Sequence, residues 1–238
     1  MTSYKIVPVP GDGIETGNVQ NALEDLSALE SEAELRSGTV PDSLQQIRDG
    51  VCWFEYAKET VDEYDTLDGT LERIIPERYA VVLLDNGYIA VEKCTRDIER
   101  EIVSAISNKF TDGFSLSPVE FKEKTLRKVL DQSDNILGLD VAPKRAGKPD
   151  RVSGRDTSLA ETDFLDEHGV DPFEKVKVEL PGKDIDINVS FDRKGNIVLH
   201  TRTMSMRRQV RVLRYIADKI VDRYRDQTSF QRTLPGGT

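Results

Sequence analysis

Cysteine, histidine and tryptophan are nearly absent from this chain. Its 238 residues include two cysteines, Cys52 and Cys94, two histidines, His168 and His200, and one tryptophan. The cysteine spacing matches no zinc or redox motif, and neither histidine stands in an HExxH or CxxC context. A histidine-rich metal site is therefore not expected, and no metal or cofactor is assigned. Both cysteines fall in strand-like runs, VCWFEY and IAVEKC, and are expected to be buried thiols. No apolar run approaches the roughly 18–20 residues that a membrane span needs. MTSYKIVPVP lacks the basic-then-apolar pattern of a leader. These absences lead to the expectation of a soluble, cytoplasmic protein that contacts no membrane.

Lysine is scarce as well, with 14 lysines against 19 arginines. Acidic residues number 43 and basic residues 33, for a net charge of −10. An acid-rich, lysine-poor composition points to a halophilic source. Carboxylates stay hydrated in concentrated salt, and their mutual repulsion is screened over a Debye length of about 3 Å at 1 M. The charge is uneven. Residues 1–70 hold 15 acids and 4 bases, whereas residues 201–238 hold 9 bases and 3 acids. A basic C-terminal stretch on an acidic protein is the clearest electrostatic signal here, and it leaves two counterparts open, an anionic partner or the chain's own acidic segment 1–70.

What the sequence does contain is alternating strand and helix patterns. GNVQNALEDLSALESEAELR places Val19, Ala22, Leu23, Leu26 and Leu29 at helical spacing. PDSLQQIRDG reads as a short turn or helix, VCWFEYAKE as a strand, and TVDEYDTLDGT as a solvated loop. RYAVVLLDNGYIAVEKC, residues 78–94, predicts a hairpin closed by a type I′ turn at Asn86–Gly87. It feeds a helix, TRDIEREIVSAISNKF. In SPVEFKEKTLRKVLDQ, Ser117, Pro118 and Glu120 form a helix-entry signature. NILGLDV reads as a strand, and TSLAETDFLDEH as a helix. Residues 174–203 predict an antiparallel meander, and roughly 204–225 a long final helix striped by Val210, Leu213, Ala217, Ile220, Val221 and Tyr224. The expected organisation is an acidic N-terminal segment (1–70), a hairpin–helix–helix–strand unit (71–141), a basic linker (142–156), a helix–meander–helix unit (157–225) and a tail (226–238).

Several short motifs bear on function. Pro10–Ile14 resembles the PGDGI segment near the start of isocitrate and isopropylmalate dehydrogenases. The likeness ends after five residues, and Gly17 is followed by Asn18 rather than by a P-loop lysine, so Gly11 and Gly13 are read as a plain turn. TGNVQNALEDL resembles the T-x-x-x-V-Q-x-A-L-x-x-L segment of tailed-virus structural proteins, which implies a role in a virion. Asp184 and Asp186 beside Lys183 suit turn chemistry better than a magnesium-dependent nuclease. No nucleophile elbow or kinase-type lysine pattern occurs, so a non-enzymatic role is favoured. Two basic clusters stand out. Lys144, Arg145, Lys148, Arg151 and Arg155 lie among glycine and proline, where a loop can follow a phosphate backbone. Arg202, Arg207, Arg208, Arg211 and Arg214 surround the start of the last helix. Cations there oppose the helix dipole at a cost of roughly 0.3–1 kcal/mol each, and such a conflict suggests an anionic partner.

The expected fold class is α+β: antiparallel sheets, hairpin 78–94 and meander 174–203, with helices packed on one side. DNGYIAVEKCT and RKGNIVLHTRT, each followed by a helix, are compatible with two similar hairpin–helix halves. At that level the arrangement resembles the sheet-and-helix duplication of TATA-binding proteins. The leading functional expectation is a nucleic-acid-binding protein that grips the phosphate backbone through the 144–155 loop and the 202–214 arginines. The alternative is a structural or assembly protein, cellular or viral and compatible with a homo-oligomer, whose basic C-terminal region docks on an acidic partner.

Overall fold

The Asn86–Gly87 pair does close a hairpin in the computed structural model, but not with the expected turn. The model describes residues 1–9, 19–27, 35–40, 42–48, 50–67, 69–110, 116–141, 150–153, 173–181, 187–201 and 204–221. Leu84 pairs with Tyr88, which leaves three residues in the loop. The Gly87 N–H donates to the Leu84 carbonyl (3.1 Å). Only Gly87 has positive φ (78°); Asn86 does not. This is a type I turn followed by a left-handed glycine, the usual three-residue alternative to type I′. Strands flank the turn as expected, but only Val81–Leu84 and Tyr88–Val91 pair, the second strand ends at Glu92 and the first begins at Gly69.

The elements are those of an α+β protein with antiparallel strand pairing. The described strands are β1 (Thr2–Pro8), β2 (Ser37–Thr39), β3 (Gln45–Arg48), β4 (Val51–Thr66), β5 (Gly69–Leu84), β6 (Tyr88–Glu92), β7 (Asn135–Val141), β8 (Asp150–Ser153), β9 (Phe173–Leu180), β10 (Ile187–Asp192) and β11 (Ile197–Leu199). The helices are α1 (Val19–Glu24), α2 (Arg96–Phe110), α3 (Glu123–Asp131) and α4 (Met206–Ile216), which runs into a π turn at Ala217–Val221. No described helix is long and apolar enough to cross a membrane. The chain divides into two compact units. One takes Met1–Ile6 and the chain from Pro118, and the other takes Val7–Ser117.

In the Val7–Ser117 unit, β5 lies between β4 and β6, and β2 and β3 both pair with β4. PDSLQQIRDG thus contains a strand, not a helix: Gln45 pairs with Trp53 and Arg48 with Val51, and Gly50 makes the reversal at φ 73°. One face of the strands presents Phe54, Tyr56, Val81, Leu83, Ile89 and Val91. They share a buried cluster with Val19 and Leu23 of α1 and Ile98, Ile102, Val103 and Ile106 of α2. The amphipathic spacing read from the sequence is what places those helix residues there. Val82, Leu84, Tyr88 and Ala90 on the opposite strand face are also buried. Cys52 is buried as expected, whereas Cys94 is only half-buried. Burial pushes the Cys52 thiol pKa up.

The acidic stretch expected to be a loop is the most extended structure in this unit. β4 and β5 pair continuously from Cys52–Leu83 to Thr66–Gly69. β2 reaches only as far as Lys58, and β6 only as far as Val81. Beyond Glu59, whose N–H still donates to the Arg36 carbonyl (2.8 Å), the seven cross-strand pairs from Thr60–Ile75 outward have no third strand beside them among the described residues. At about 3.4 Å per residue this is a free-standing ribbon some 25 Å long. Its root is fixed: Arg36 forks onto Glu59 (2.7 and 3.1 Å), and Glu101 of α2 accepts from Lys58 (2.5 Å) and Tyr56 (3.1 Å). Burial alone would raise the Glu101 pKa, but hydrogen bonds from Lys58, Ser37 and Tyr56 outweigh it and hold the pKa down. Tyr56 is pushed up to about 12, chiefly by burial.

In the other unit the strand order is β11, β10, β9, β7, β8, with Thr2, Ser3 and Tyr4 of β1 pairing with β11. The meander is as expected. Tyr4, Leu199, Val189, Phe191, Val176, Val178 and Leu139 are buried on it. α3 packs on β9, Phe121 meets Phe191 edge-on at 5.7 Å, and Arg127 lies over the Phe173 ring at 4.7 Å. The helix-entry signature at Ser117 is overridden. α3 starts at Glu123, because the Val119 N–H donates to the Ile6 carbonyl (2.8 Å) and Val119 and Phe121 are buried. The β10–β11 turn repeats the geometry of the first hairpin: the Gly195 N–H donates to the Asp192 carbonyl (3.0 Å) at φ 82°. The expected helix at 157–168 lies outside the described residues, as does the 10–18 turn.

Candidate functional site

The last helix carries the part of the expected basic site that can be placed. α4 buries Val210, Val212, Leu213 and Ile216. Arg207, Arg208 and Arg211 are exposed, and Arg214 is half-buried. Arg207 and Arg211 are helical neighbours at i,i+4, a like-charge pairing that costs a few tenths of a kcal/mol. The first turn holds no acidic residue to offset the dipole. Lys144, Arg145, Lys148, Arg155 and Arg202 lie outside the described residues. Arg151 falls in β8, which among the described residues pairs only with β7. The structure therefore gathers three exposed arginines into a ridge on α4; Arg214 is half-buried on the same helix, Arg151 lies in β8, and the other five expected residues stand outside what it describes.

A recess opens at the start of the same helix. Its volume is about 430 Å³, and Met1, Thr2, Leu199, Thr201, Met204, Ser205 and Gln209 line it. Ser205 is the N-cap residue by conformation, yet its side chain makes no capping bond. The Ser205 carbonyl accepts from the Arg208 and Gln209 amides (3.0 Å each). The amides of Met206 and Arg207 come before the first intrahelical bond. The Thr201 hydroxyl oxygen is buried without a hydrogen-bond partner. Gln209 is fixed at both ends: Tyr4 donates to its Oε1 (2.6 Å), and its Nε2 donates to the Met204 carbonyl (3.1 Å). A rigid polar recess thus adjoins a cationic ridge.

Two features went unread in the sequence. The first is a hydrogen bond between Ser190 Oγ and His200 Nε2 (2.6 Å). Burial lowers the His200 pKa, with Lys177 and Lys175 adding to the effect. A neutral imidazole beside a serine has the make-up of a catalytic pair. Ser190, however, is 1% exposed, which keeps its hydroxyl from a substrate. No carboxylate orients the ring among the described residues. Among those residues no group of three or more His, Cys, Asp or Glu is placed to hold a metal ion. The second feature is the ribbon. Val61 (45%), Tyr64 (46%), Leu71 (51%) and Ile74 (55%) are about half exposed, and Leu67 at the tip is wholly exposed. Val61 opposes Ile74 on one face, and Tyr64 opposes Leu71 on the other. Each face of the ribbon thus exposes one apolar cross-strand pair. Compared with protein-family models and with curated proteins, the chain matches none.

Proposed function

We propose that this chain is a non-enzymatic structural or assembly protein from a salt-adapted source, and that its basic C-terminal region docks on an acidic protein surface. The observation that carries this is the α4 ridge, where Arg207, Arg208 and Arg211 are exposed opposite a buried apolar stripe, at the dipole end that repels cations. The ribbon favours a protein as the partner, because its exposed leucines, isoleucine and tyrosine suit protein contacts and not a phosphate backbone. The net charge of −10 also repels nucleic acid from most of the surface. In this proposal the two hairpin–helix runs are related halves, with helices covering one side of each.

A second reading, phosphate-backbone binding, is favoured by one observation: the α4 start has no side-chain cap and no acidic residue in its first turn, while exposed Arg207 and Arg208 lie in that turn. Titration of the protein with poly-L-glutamate and with duplex DNA separates the two. For the assembly role, poly-L-glutamate binds and the triple change R207Q/R208Q/R211Q weakens it, while duplex DNA shows no dependence on those arginines. The reverse pattern supports the nucleic-acid role. Binding of neither polymer refutes both.

A further inference from the structure

The acidic surface that suits the α4 ridge is present on the chain itself. Between Thr60 and Pro76 the sequence has five acids, Asp62, Glu63, Asp65, Asp68 and Glu72, and one base, Arg73. Glu63 lies directly opposite Glu72 in the ribbon. Like charges face to face on an exposed pair destabilise a ribbon, so a cationic surface set against them relieves that repulsion. The tip ends in Leu67, 107% exposed. A fully solvated leucine at the end of the ribbon has the form of a knob, and burying it in a partner's pocket is favourable by the usual area relation.

The recess at the start of α4 has the form of the matching hole. Its volume of about 430 Å³ exceeds that of one leucine side chain; the lining is mostly polar, and Met1, Leu199 and Met204 supply the apolar contacts within it. Arg207 and Arg211 stand on the helix that begins at its rim. We infer that the β4–β5 ribbon of one copy docks at the α4 start of a second copy, with Leu67 in the recess and the tip carboxylates against the arginine ridge. This inference rests on the assembly role proposed above and names its partner. Leu67 is fully exposed and so is open to a second copy. The two patches differ, so the contact is heterologous: each copy offers one ribbon and one recess. Such contacts propagate into closed rings or open filaments. In concentrated salt the charges act only at close range, at about 3 Å for 1 M, and the apolar tip supplies the remaining affinity.

A mixing experiment tests this with the full chain in about 1 M KCl. Sedimentation velocity on the wild type should show species that grow with concentration. L67D removes the knob, and R207E/R211E removes the ridge; both changes are at exposed positions, and circular dichroism checks the fold. Each variant alone should remain monomeric at concentrations about tenfold above those at which the wild type associates. Mixed, they should form a 1:1 complex and stop there, because the ridge of the first still accepts the ribbon of the second. S205W, which fills the recess without touching charge, should behave like R207E/R211E. A wild type that is monomeric throughout, or a mixture with no heterodimer, overturns the inference. If the wild type is monomeric yet binds poly-L-glutamate through Arg207 and Arg211, the partner named here is wrong and the docking role survives. If that binding is absent too, both fail.

Discussion

Gly195→Ala is the sharpest stability test of the fold. Gly195 has φ 82°, and a Cβ placed there would lie 1.9 Å from the Val119 carbonyl oxygen and 3.1 Å from its carbon. Two costs follow. The left-handed conformation costs an L-residue about 1–2 kcal/mol. The collision is with backbone, not with the free end of a side chain, and forced repacking of that kind costs about 1–3 kcal/mol. The backbone at Val119 cannot withdraw easily, because its N–H is bonded to Ile6 at 2.8 Å and its side chain is 6% exposed. A loss of about 2–5 kcal/mol is expected, a large share of the roughly 5–15 kcal/mol of a typical domain. Urea unfolding in molar KCl measures it. Gly69→Ala is the control: its φ is 128°, but a Cβ there meets nothing within 4 Å, so it has backbone strain and no collision. If Gly195→Ala costs no more than Gly69→Ala, the packing of Val119 and Glu120 on the β10–β11 turn is wrong.

The remaining predictions concern salt and pH. The melting temperature should rise as KCl goes from low millimolar to molar, and a flat or falling curve contradicts the halophilic reading. Glu72→Lys, which sets a lysine opposite Glu63, should slow amide exchange in the ribbon at low salt by the equivalent of roughly 0.2–1 kcal/mol, with the gain shrinking in molar KCl. For His200, the folded-state pKa lies below the ordinary value, so the unfolded chain binds the proton more readily. Its contribution to stability is therefore whole above about pH 6.5 and falls as the pH drops from there towards the folded pKa. His200→Gln should flatten the stability curve in that window; an unchanged slope refutes the assignment.

How much of this was legible in the sequence varied with the kind of signal. α2 and the meander were readable because their apolar periods match the face each buries. The α4 ridge was readable because Arg207, Arg208 and Arg211 sit off the Val210–Leu213–Ile216 stripe. The ribbon was not, because its apolar residues fall on opposite faces: Val61 and Ile74 point one way and Tyr64 and Leu71 the other. No period-2 stripe forms in TVDEYDTLDGT, and only the pairing with 69–76 reveals a strand. The Ser117 signature failed for a related reason. Its capping residues were locally correct, but the amide of Val119 found a partner more than a hundred positions away, in β1. The Asn86–Gly87 turn was misread by one residue because strand ends are set by the Leu84–Tyr88 pair, and the dipeptide then fills the second and third places of a longer loop.

The central claim is that the ribbon and the start of α4 are two halves of one contact between copies. Hydrogen–deuterium exchange on the wild type in molar KCl, compared between dilute and concentrated protein, tests it most directly. Concentration should protect two separated stretches together, the amides of 60–76 and those of 204–211, and leave the rest of the described chain unchanged. Protection of neither stretch, or of the ribbon alone, would contradict it.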